Sequence, residues 1–397
     1  MKILLLENIH PDAEAVFAAA GHAVVREPHS PARKVLAQEI GDVSVLGIRS
    51  KTKVTADLLE RAPELLAIGA FCIGTEQVDL DACSRRGVAV FNAPYSNTRS
   101  VVELALGEMI LLLRGVSDRN AALHRGVWGK SSEGFHEIRG KKLGIVGYGN
   151  IGSQLSVLAE AMGMEVSYHD LVEKLPMGNA RKCSLEELLQ VSDIVTVHVD
   201  GREENRGLVG EREFAAMKDG VIFLNLSRGF VVDVEALARS VRRGKVRGAA
   251  VDVFPEEPRT NKDPFSSPLQ GLPNIILTPH IGGSTEEAQQ GIGRFVAAQL
   301  LEYLSTGGTT TSVNFPALSS SPTPRRHRFA HVHENVPGML AKINDLFARH
   351  GVNIAGQRLE TRGRLGYTLI DVAPGCDLGI VEELRRIPQT IRARLIY

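Results

Sequence analysis

The sequence predicts an α/β protein with two doubly wound parallel-sheet domains in tandem, followed by a small ferredoxin-like module of order βαββαβ. Three observations lead there. Short apolar runs alternate with helical stretches from residue 2 to about 93, and a second alternating series runs from 142 to 283. The last ~70 residues switch to a strand–helix–strand–strand–helix–strand order. A chain of 397 residues has room for two or three domains and can hold a core without disulfides or metal.

In chain order, the first series places strands at 2–6, 43–48, 65–71 and 88–91, with helices at 11–20, 31–40, 56–61 and 79–86. A long apolar helix is expected over 101–113, opened by a capping box of Ser100 and Glu103. The second series places strands at 142–146, 165–169, 193–199, 221–226, 249–254 and 275–278, the number found in a dinucleotide-binding domain. Its helices fall at 150–162, 184–191 and 233–243, and a further helix at 286–304. Segments 306–311 and 319–324 are rich in Gly, Ser, Thr and Pro and read as a connector. The last module follows with strands at 329–333, 353–361, 365–373 and 391–397 and helices at 337–350 and 377–387.

Lys+Arg and Asp+Glu are both 46, so the basic surplus expected of a nucleic-acid binder is missing. No apolar run approaches the ~20 residues that span a bilayer, and the first run, Ile3–Leu6, is only four residues long before the first acidic charge, Glu7. Cys72, Cys83, Cys183 and Cys376 show no CxxC spacing, which leaves no metal knuckle or redox dithiol. The expectation is a reduced, cytoplasmic, soluble protein with no metal, no membrane segment and no nucleic-acid partner.

The chemistry begins at Gly147-Tyr148-Gly149-Asn150-Ile151-Gly152, a GxGxxG that follows an apolar strand and opens a helix. Gly147 suits the tight turn, Gly149 the approach of a pyrophosphate, and Gly152 the close packing of helix on strand. Free N–H groups near Asn150 and Ile151 would meet phosphate. Asp170 ends the next strand 23 positions after Gly147, near the ~20 expected of a ribose-binding acid. A carboxylate there repels a 2′-phosphate, so NAD is expected over NADP.

Three motifs then stand just past strand ends: Asn225-Leu226-Ser227-Arg228-Gly229, Asp252-Val253-Phe254-Pro255-Glu256-Glu257-Pro258 and Thr278-Pro279-His280-Ile281-Gly282-Gly283. Ligands of open α/β sheets bind outside the carboxyl ends of the strands. Oxidising a 2-hydroxy acid needs a base for the hydroxyl proton, and His280 titrates in the right range. A carboxylate should orient that imidazole, and the residues themselves leave Glu256 and Glu257 both open. Arg228 suits the substrate carboxylate through its planar fork.

With these motifs the sequence resembles the D-isomer-specific 2-hydroxyacid dehydrogenases, in the branch that acts on 3-phosphoglycerate and carries a C-terminal ACT domain. Further marks are Ile48-Arg49-Ser50-Lys51-Thr52, Phe71-Cys72-Ile73-Gly74-Thr75, Phe91-Asn92-Ala93-Pro94, Ser96-Asn97-Thr98-Arg99-Ser100, His124-Arg125-Gly126-Val127-Trp128, Val313-Asn314-Phe315-Pro316, His331-Val332-His333-Glu334-Asn335 and Ile391-Arg392-Ala393-Arg394-Leu395. The resemblance spans essentially the whole chain. It implies Arg228, Glu257 and His280 as the catalytic set, with Glu257 chosen because it directly precedes Pro. It implies cofactor contacts at Gly147, Gly149, Asn150, Ile151, Gly152, Asp170, Leu226, Ser227, Arg228, Asp252, His280, Ile281, Gly282 and Gly283. Substrate contacts are expected at Arg49, Ser50, Lys51, Asn97 and Lys130, the last serving a neighbouring subunit. His333, Asn335 and Asn353 match the family's serine-contacting residues. The first two end one strand and Asn353 starts the next, and these ends are expected to come close together, with a paired ACT module completing the pocket.

The expected boundaries are a flavodoxin-like substrate domain at 1–95 with 284–318, a Rossmann NAD domain at 96–283, a linker at 319–326 and the ACT module at 327–397. The implied activity is NAD-dependent oxidation of 3-phosphoglycerate, the first step of phosphorylated L-serine biosynthesis. L-serine is the expected inhibitor, reduction of 2-oxoglutarate an expected side activity, and the homotetramer the expected assembly. Two positions depart from the family's habit: Asp200 stands where Pro is frequent and Leu226 where Ala is. The competing readings are another 2-hydroxyacid or hydroxypyruvate reductase and a non-catalytic NAD-sensing protein. The complete Arg–Glu–His set counts against the second. Glu257 counts against formate dehydrogenases, which carry Gln there.

Overall fold

The computed structural model describes residues 1–258, 260, 262–322 and 326–397. They form two compact units, one of Met1–Ser96 with Gln289–Tyr397 and the other of Asn97–Ala288.

In the first unit, strands β1 (Lys2–Leu5), β2 (Ala23–Arg26), β3 (Val45–Ile48), β4 (Ala67–Ala70) and β5 (Ala89–Asn92) form a parallel sheet of order β2-β1-β3-β4-β5. This is the flavodoxin-like order. Every residue of β3, β4 and β5 is buried, as a parallel sheet covered on both faces requires. β2 was not expected from the sequence. It is an edge strand whose residues alternate between exposed and half-buried, so Ala23-Val24-Val25-Arg26 lacks a continuous apolar signal. From Gln289 onward the helix Glu286–Thr306 lays Ile292, Val296 and Leu300 into the core with Ile3, Leu5 and Phe17. It lies so close to β4 that a Cβ on Gly69 would stand 2.7 Å from Leu300 and 2.9 Å from Val296.

The same unit holds an antiparallel sheet of order β14-β15-β13-β16, built from β13 (His327–Glu334), β14 (Ile354–Arg362), β15 (Leu365–Val372) and β16 (Thr390–Leu395). One face carries Phe329, Ile370 and Ala393 against Ile343, Phe347 and Leu384 of the helices Met339–Arg349 and Ile380–Arg386. The other face, with Ala330, Val332, Tyr367 and Leu369, joins the core that contains Phe91, Tyr303 and Phe315. The polar segment around 306–320 is buried here. Thr309 is fully buried and its Oγ1 donates to the Pro316 carbonyl at 2.7 Å, while Ser320 Oγ donates to the Thr306 carbonyl at 3.0 Å. Arg328, also fully buried, forks onto Asp371 at 2.6 and 2.8 Å and donates to the Thr306 carbonyl at 3.0 Å. Of the expected linker 319–326, residues 323–325 lie outside the described residues.

The second unit is a seven-stranded parallel sheet of order β12-β11-β10-β9-β6-β7-β8. Its strands are β6 (Lys142–Val146), β7 (Glu165–His169), β8 (Arg181–Lys182), β9 (Ile194–Val197), β10 (Val221–Asn225), β11 (Val246–Val251) and β12 (Ile275–Leu277). The short edge strand β8 adds one to the six expected. The order reverses between β6 and β9, which is the switch point where such sheets bind ligands. The helix Thr98–Arg114 begins earlier than the expected capping box. Asn97 is its N-cap, Ser100 lies inside and bonds Thr285 at 2.8 Å, and Glu103 pairs with Arg99 at 2.5 Å. The i, i+4 pairing on the exposed face takes the glutamate that a capping box would have used.

Candidate active site

The dinucleotide turn follows β6 directly. Gly147 takes φ +94°, and a Cβ there would meet the His198 carbonyl oxygen at 2.7 Å. Gly152 lies on the helix Asn150–Ala161 against the turn itself, where a Cβ would stand 2.3 Å from the Gly147 carbonyl oxygen. Around Gly149 a Cβ would meet nothing within 4 Å. Gly149 is the helix N-cap and offers no side-chain acceptor, so the first N–H groups, near Asn150 and Ile151, are left for a phosphate. Open space above Gly149 and uncapped amides below it fit a dinucleotide pyrophosphate. Asp170, at the end of β7, accepts the Tyr148 N–H at 2.8 Å and the Val172 N–H at 2.9 Å. Its carboxylate is thereby fixed beside the turn with lone pairs to spare for ribose hydroxyls.

At the end of β10, Asn225 is buried and organises the turn that presents Arg228. Its Oδ1 accepts from Ser227 Oγ at 2.7 Å and from Ser227 N–H at 3.1 Å, and its Nδ2 donates to the Arg228 carbonyl at 3.2 Å. Leu226 and Ser227 are buried beside it. Arg228 Nη1 donates to the Ser227 carbonyl at 2.9 Å.

Past β11, Asp252 is buried and works as a clamp. It accepts from Thr278 Oγ1 at 2.6 Å, from Ile281 N–H at 2.8 Å and from Gly282 N–H at 2.8 Å, and its carbonyl accepts from His280 N–H at 2.8 Å. This holds His280 at φ +55°, a left-handed conformation that a non-glycine residue keeps only when its surroundings over-determine it. A Cβ on Gly283 would stand 2.1 Å from Asn97 Nδ2, so that loop also packs on the helix N-cap; Asn97 Oδ1 is buried without a partner.

The held imidazole meets Glu257: His280 Nδ1 and Glu257 Oε2 are 2.9 Å apart. Glu257, rather than Glu256, is thus the carboxylate on the ring. Glu257 Oε1 also accepts the Phe254 N–H at 3.2 Å. The bond to Glu257 pushes the His280 imidazole above its ordinary range, against the opposing effect of burial. Burial pushes Glu257 up, but the hydrogen bond and charge of His280 outweigh it and hold the carboxyl below its ordinary value. The Arg228 guanidinium is near enough to act on both. A cation, an oriented imidazole and its carboxylate therefore share the carboxyl ends of β10 to β12.

Among the expected substrate residues, Arg49, Ser50 and Lys51 follow β3 at the carboxyl end of the first sheet. Buried Glu7, just past β1, accepts the Lys51 N–H at 3.0 Å and the Thr52 N–H at 2.7 Å, and Gln77 donates to the Arg49 carbonyl at 2.6 Å. Glu7 and Gln77 were missed from the sequence, and Asn225, which opens a quoted motif, was given no role there. Their one visible signal is a polar residue placed directly beyond an apolar strand, and Gln77 lacks even that. Lys130 is exposed, beside a Trp128 that is 80% exposed.

The expected effector cluster is corrected. β14 runs parallel to β13 with β15 between them, so His327, Val372 and Ile354 share one end of the sheet while Glu334, Leu365 and Arg362 share the other. Asn353, just before Ile354, therefore lies at the opposite end from His333 and Asn335, about seven strand residues or roughly 23 Å away. His333 is buried, with Nδ1 against the Glu334 carbonyl at 2.9 Å and Nε2 against Thr368 Oγ1 at 3.1 Å. Asn335 Nδ2 donates to the Gly363 carbonyl at 3.1 Å. One chain does not bring the three together.

No group of metal-ligating side chains occurs among the described residues, and no helix among them is long and apolar enough to cross a membrane.

Comparison with known proteins agrees with this geometry. A family model described as D-isomer specific 2-hydroxyacid dehydrogenase, NAD binding domain, matches residues 106–282, and one described as AHAS small subunit-like ACT domain matches 329–392. The chain is 49% identical over 402 residues to D-3-phosphoglycerate dehydrogenase of Escherichia coli (strain K12), covering all of this chain and 98% of that one. It is 48% identical over 398 residues to the enzyme of the same name from Dictyostelium discoideum, covering 100% of this chain and 97% of that one. A solved D-lactate dehydrogenase from Aquifex aeolicus, complexed with NAD and lactic acid, gives a TM-score of 0.69 at 26% identity and covers 79% of this chain and 100% of that one. The chain belongs to the D-3-phosphoglycerate dehydrogenases, a branch of the NAD-dependent D-isomer-specific 2-hydroxyacid dehydrogenases, and it ends in an ACT domain.

Proposed function

We propose that the protein oxidises 3-phosphoglycerate to 3-phosphohydroxypyruvate, the entry step of phosphorylated L-serine synthesis. The observation that carries this is the Glu257–His280 pair beside Arg228, at the same sheet edge as the dinucleotide turn. In that reading the residues around Gly147–Gly152 and Asp170 hold NAD, which accepts the hydride when bound. His280 removes the hydroxyl proton, Glu257 stabilises the imidazolium that results, and Arg228 grips the substrate carboxylate. Leu226, Ser227, Asp252 and Ile281–Gly283 shape the nicotinamide side. Arg49, Lys51 and Lys130, with Ser50 and Asn97 as neutral donors, take the phosphate end. Relatives named for 3-phosphoglycerate support this substrate over the other 2-hydroxy acids.

L-serine inhibits through the ACT domain, in a pocket that joins His333 and Asn335 of one copy to Asn353 of a second, within a homotetramer. The separation of these residues along one sheet supports a two-chain pocket. Reduction of 2-oxoglutarate is the side activity, since its second carboxylate can stand where the phosphate does. Steady-state rates with NADH and 3-phosphohydroxypyruvate, 2-oxoglutarate or hydroxypyruvate test the substrate assignment. The highest kcat/KM is expected for 3-phosphohydroxypyruvate, and a preference for hydroxypyruvate would replace the proposed substrate.

A further inference from the structure

The loop that follows β9 carries a charge pair that neither the catalytic set nor the dinucleotide turn uses. It starts at His198, whose backbone abuts Gly147 of the turn. Asp200 and Arg202 form a fork, Nε to Oδ1 at 2.7 Å and Nη2 to Oδ2 at 2.5 Å. Asp200 is the anchored partner. Asn205 Nδ2 donates to its Oδ1 at 2.9 Å and to its carbonyl at 3.0 Å. The Arg202 side chain is half exposed, and among the described residues its guanidinium donates only to Asp200.

The loop stands at the middle of the sheet and faces both ways. Asp200 feels the Arg228 guanidinium on the β10 side, while Arg202 feels the carboxylates of Glu204 and of Asp170 on the β7 side. A dinucleotide laid across these strand ends has its adenosine half toward Asp170. Arg202 therefore stands on the loop whose start abuts the dinucleotide turn, close enough to Asp170 to feel its charge. A guanidinium held only by an exposed ion pair is readily redirected to a stronger acceptor. A phosphate dianion on the ribose 2′ oxygen is such an acceptor, because it offers bidentate, charge-assisted bonds.

We propose that Arg202 is a cofactor-specificity residue: it leaves its fork with Asp200 to meet a 2′-phosphate, and so weakens the discrimination against NADP(H) that Asp170 imposes. This rests on the assignment of the adenosine ribose to Asp170. The two residues act in opposition. Asp170 repels the phosphate from a fixed position, Arg202 attracts it from a half-exposed one, and Asp200 sets how readily Arg202 is released.

The test is equilibrium binding of NADH and NADPH to the full-length protein, followed by nucleotide fluorescence, with the ratio of the two Kd values as the readout. Arg202→Ala should raise the NADPH-to-NADH Kd ratio about tenfold, the size of one charge-assisted contact. Arg202→Lys, which keeps the charge but loses the fork, should raise it less. Asp200→Asn, which loosens the tether, should lower it. A ratio for Arg202→Ala within about twofold of wild type overturns the proposal, as does a ratio that falls. Asp170→Ala is measured beside them and should lower the ratio. If Asp170→Ala responds and Arg202→Ala does not, the role of Arg202 alone is lost. If Asp170→Ala leaves the ratio unchanged, the ribose assignment fails and this proposal fails with it.

Discussion

His280 combines a left-handed backbone with a hydrogen bond from Nδ1 to Glu257, which leaves Nε2 as the nitrogen that can face a substrate hydroxyl. His280→Ala should lower turnover about 100- to 10,000-fold, while NADH still binds in a fluorescence titration. A variant that kept more than about a tenth of wild-type kcat would remove His280 from the proton transfer. The raised imidazole pKa carries a sign. Imidazolium persists to higher pH than in a free histidine, so kcat/KM for reduction should fall, and that for oxidation rise, as pH passes through the raised value. Glu257→Gln removes the main cause of the rise and should move both limbs to lower pH. Glu108, on the helix Thr98–Arg114, is a different case. Its carboxyl is buried with neither oxygen partnered, and burial, helped by the charge of Asp252, pushes it up to about 8. An acid raised in the folded state costs stability once the unfolded chain ionises, from pH near 4.5, and the penalty grows until pH passes about 8. Glu108→Gln should therefore raise the free energy of unfolding more at pH 8 than at pH 5, by roughly a few kcal/mol at most, read from denaturant unfolding at the two pH values. Equal shifts at both values would mean that the carboxyl is solvated.

At the scale of elements, the site depends on how closely two strand-end loops approach. A Cβ on Gly229 would stand 1.9 Å from the Phe254 carbonyl carbon and 2.0 Å from its oxygen, and neither backbone atom can rotate away. Gly229→Ala should push the Arg228 turn away from the Phe254–Glu257 loop. The expected loss is on the order of 100-fold in kcat/KM, the usual effect of misplacing a binding group by about 1 Å. A destabilisation of about 1–3 kcal/mol should accompany it, read from denaturant unfolding. A variant with wild-type kcat/KM would show that the two loops move independently. The same logic applies to the Asp252 clamp. Its carboxylate binds Thr278, Ile281 and Gly282, so an acid expected to touch the cofactor also holds the loop that carries His280.

At the scale of the whole molecule, the ACT sheet is built into the first unit. Arg392 Nη1 donates to the Leu65 carbonyl, Arg394 Nη2 to the Tyr303 carbonyl at 2.7 Å, and Tyr367 Oη to the Gly307 carbonyl at 2.8 Å. These bonds tie the ACT sheet to the segment before β4 and to the end of the helix Glu286–Thr306. The proposed inhibition by serine through a two-chain pocket predicts an effect that scales with assembly. Asn353→Ala should retain activity and desensitise the enzyme, and a coupling of about 1–3 kcal/mol would show as a 5- to 150-fold change in affinity. Activity against serine concentration, read beside sedimentation of the same samples, checks this. A wild type indifferent to millimolar serine would leave the ACT domain as an assembly element.

The sequence by itself determined what depends on local pattern. Continuous apolar runs specified β3, β4 and β5, because strands buried on both faces carry no alternation to misread. The glycines of the turn and the order of the Arg228, Glu257 and His280 motifs were equally local, since each stands just past a strand. The edge strand β2 was lost because four half-exposed residues carry almost no signal. Only the tertiary structure decided three things. It set Glu257 against His280, although the residues are 23 positions apart in sequence. It buried the Gly- and Thr-rich stretch after 306, because Arg328, Thr309 and Ser320 satisfy its backbone from inside. And it placed Asn353 at the far end of the sheet from His333, because two strands that each pair antiparallel with a third must run parallel to one another.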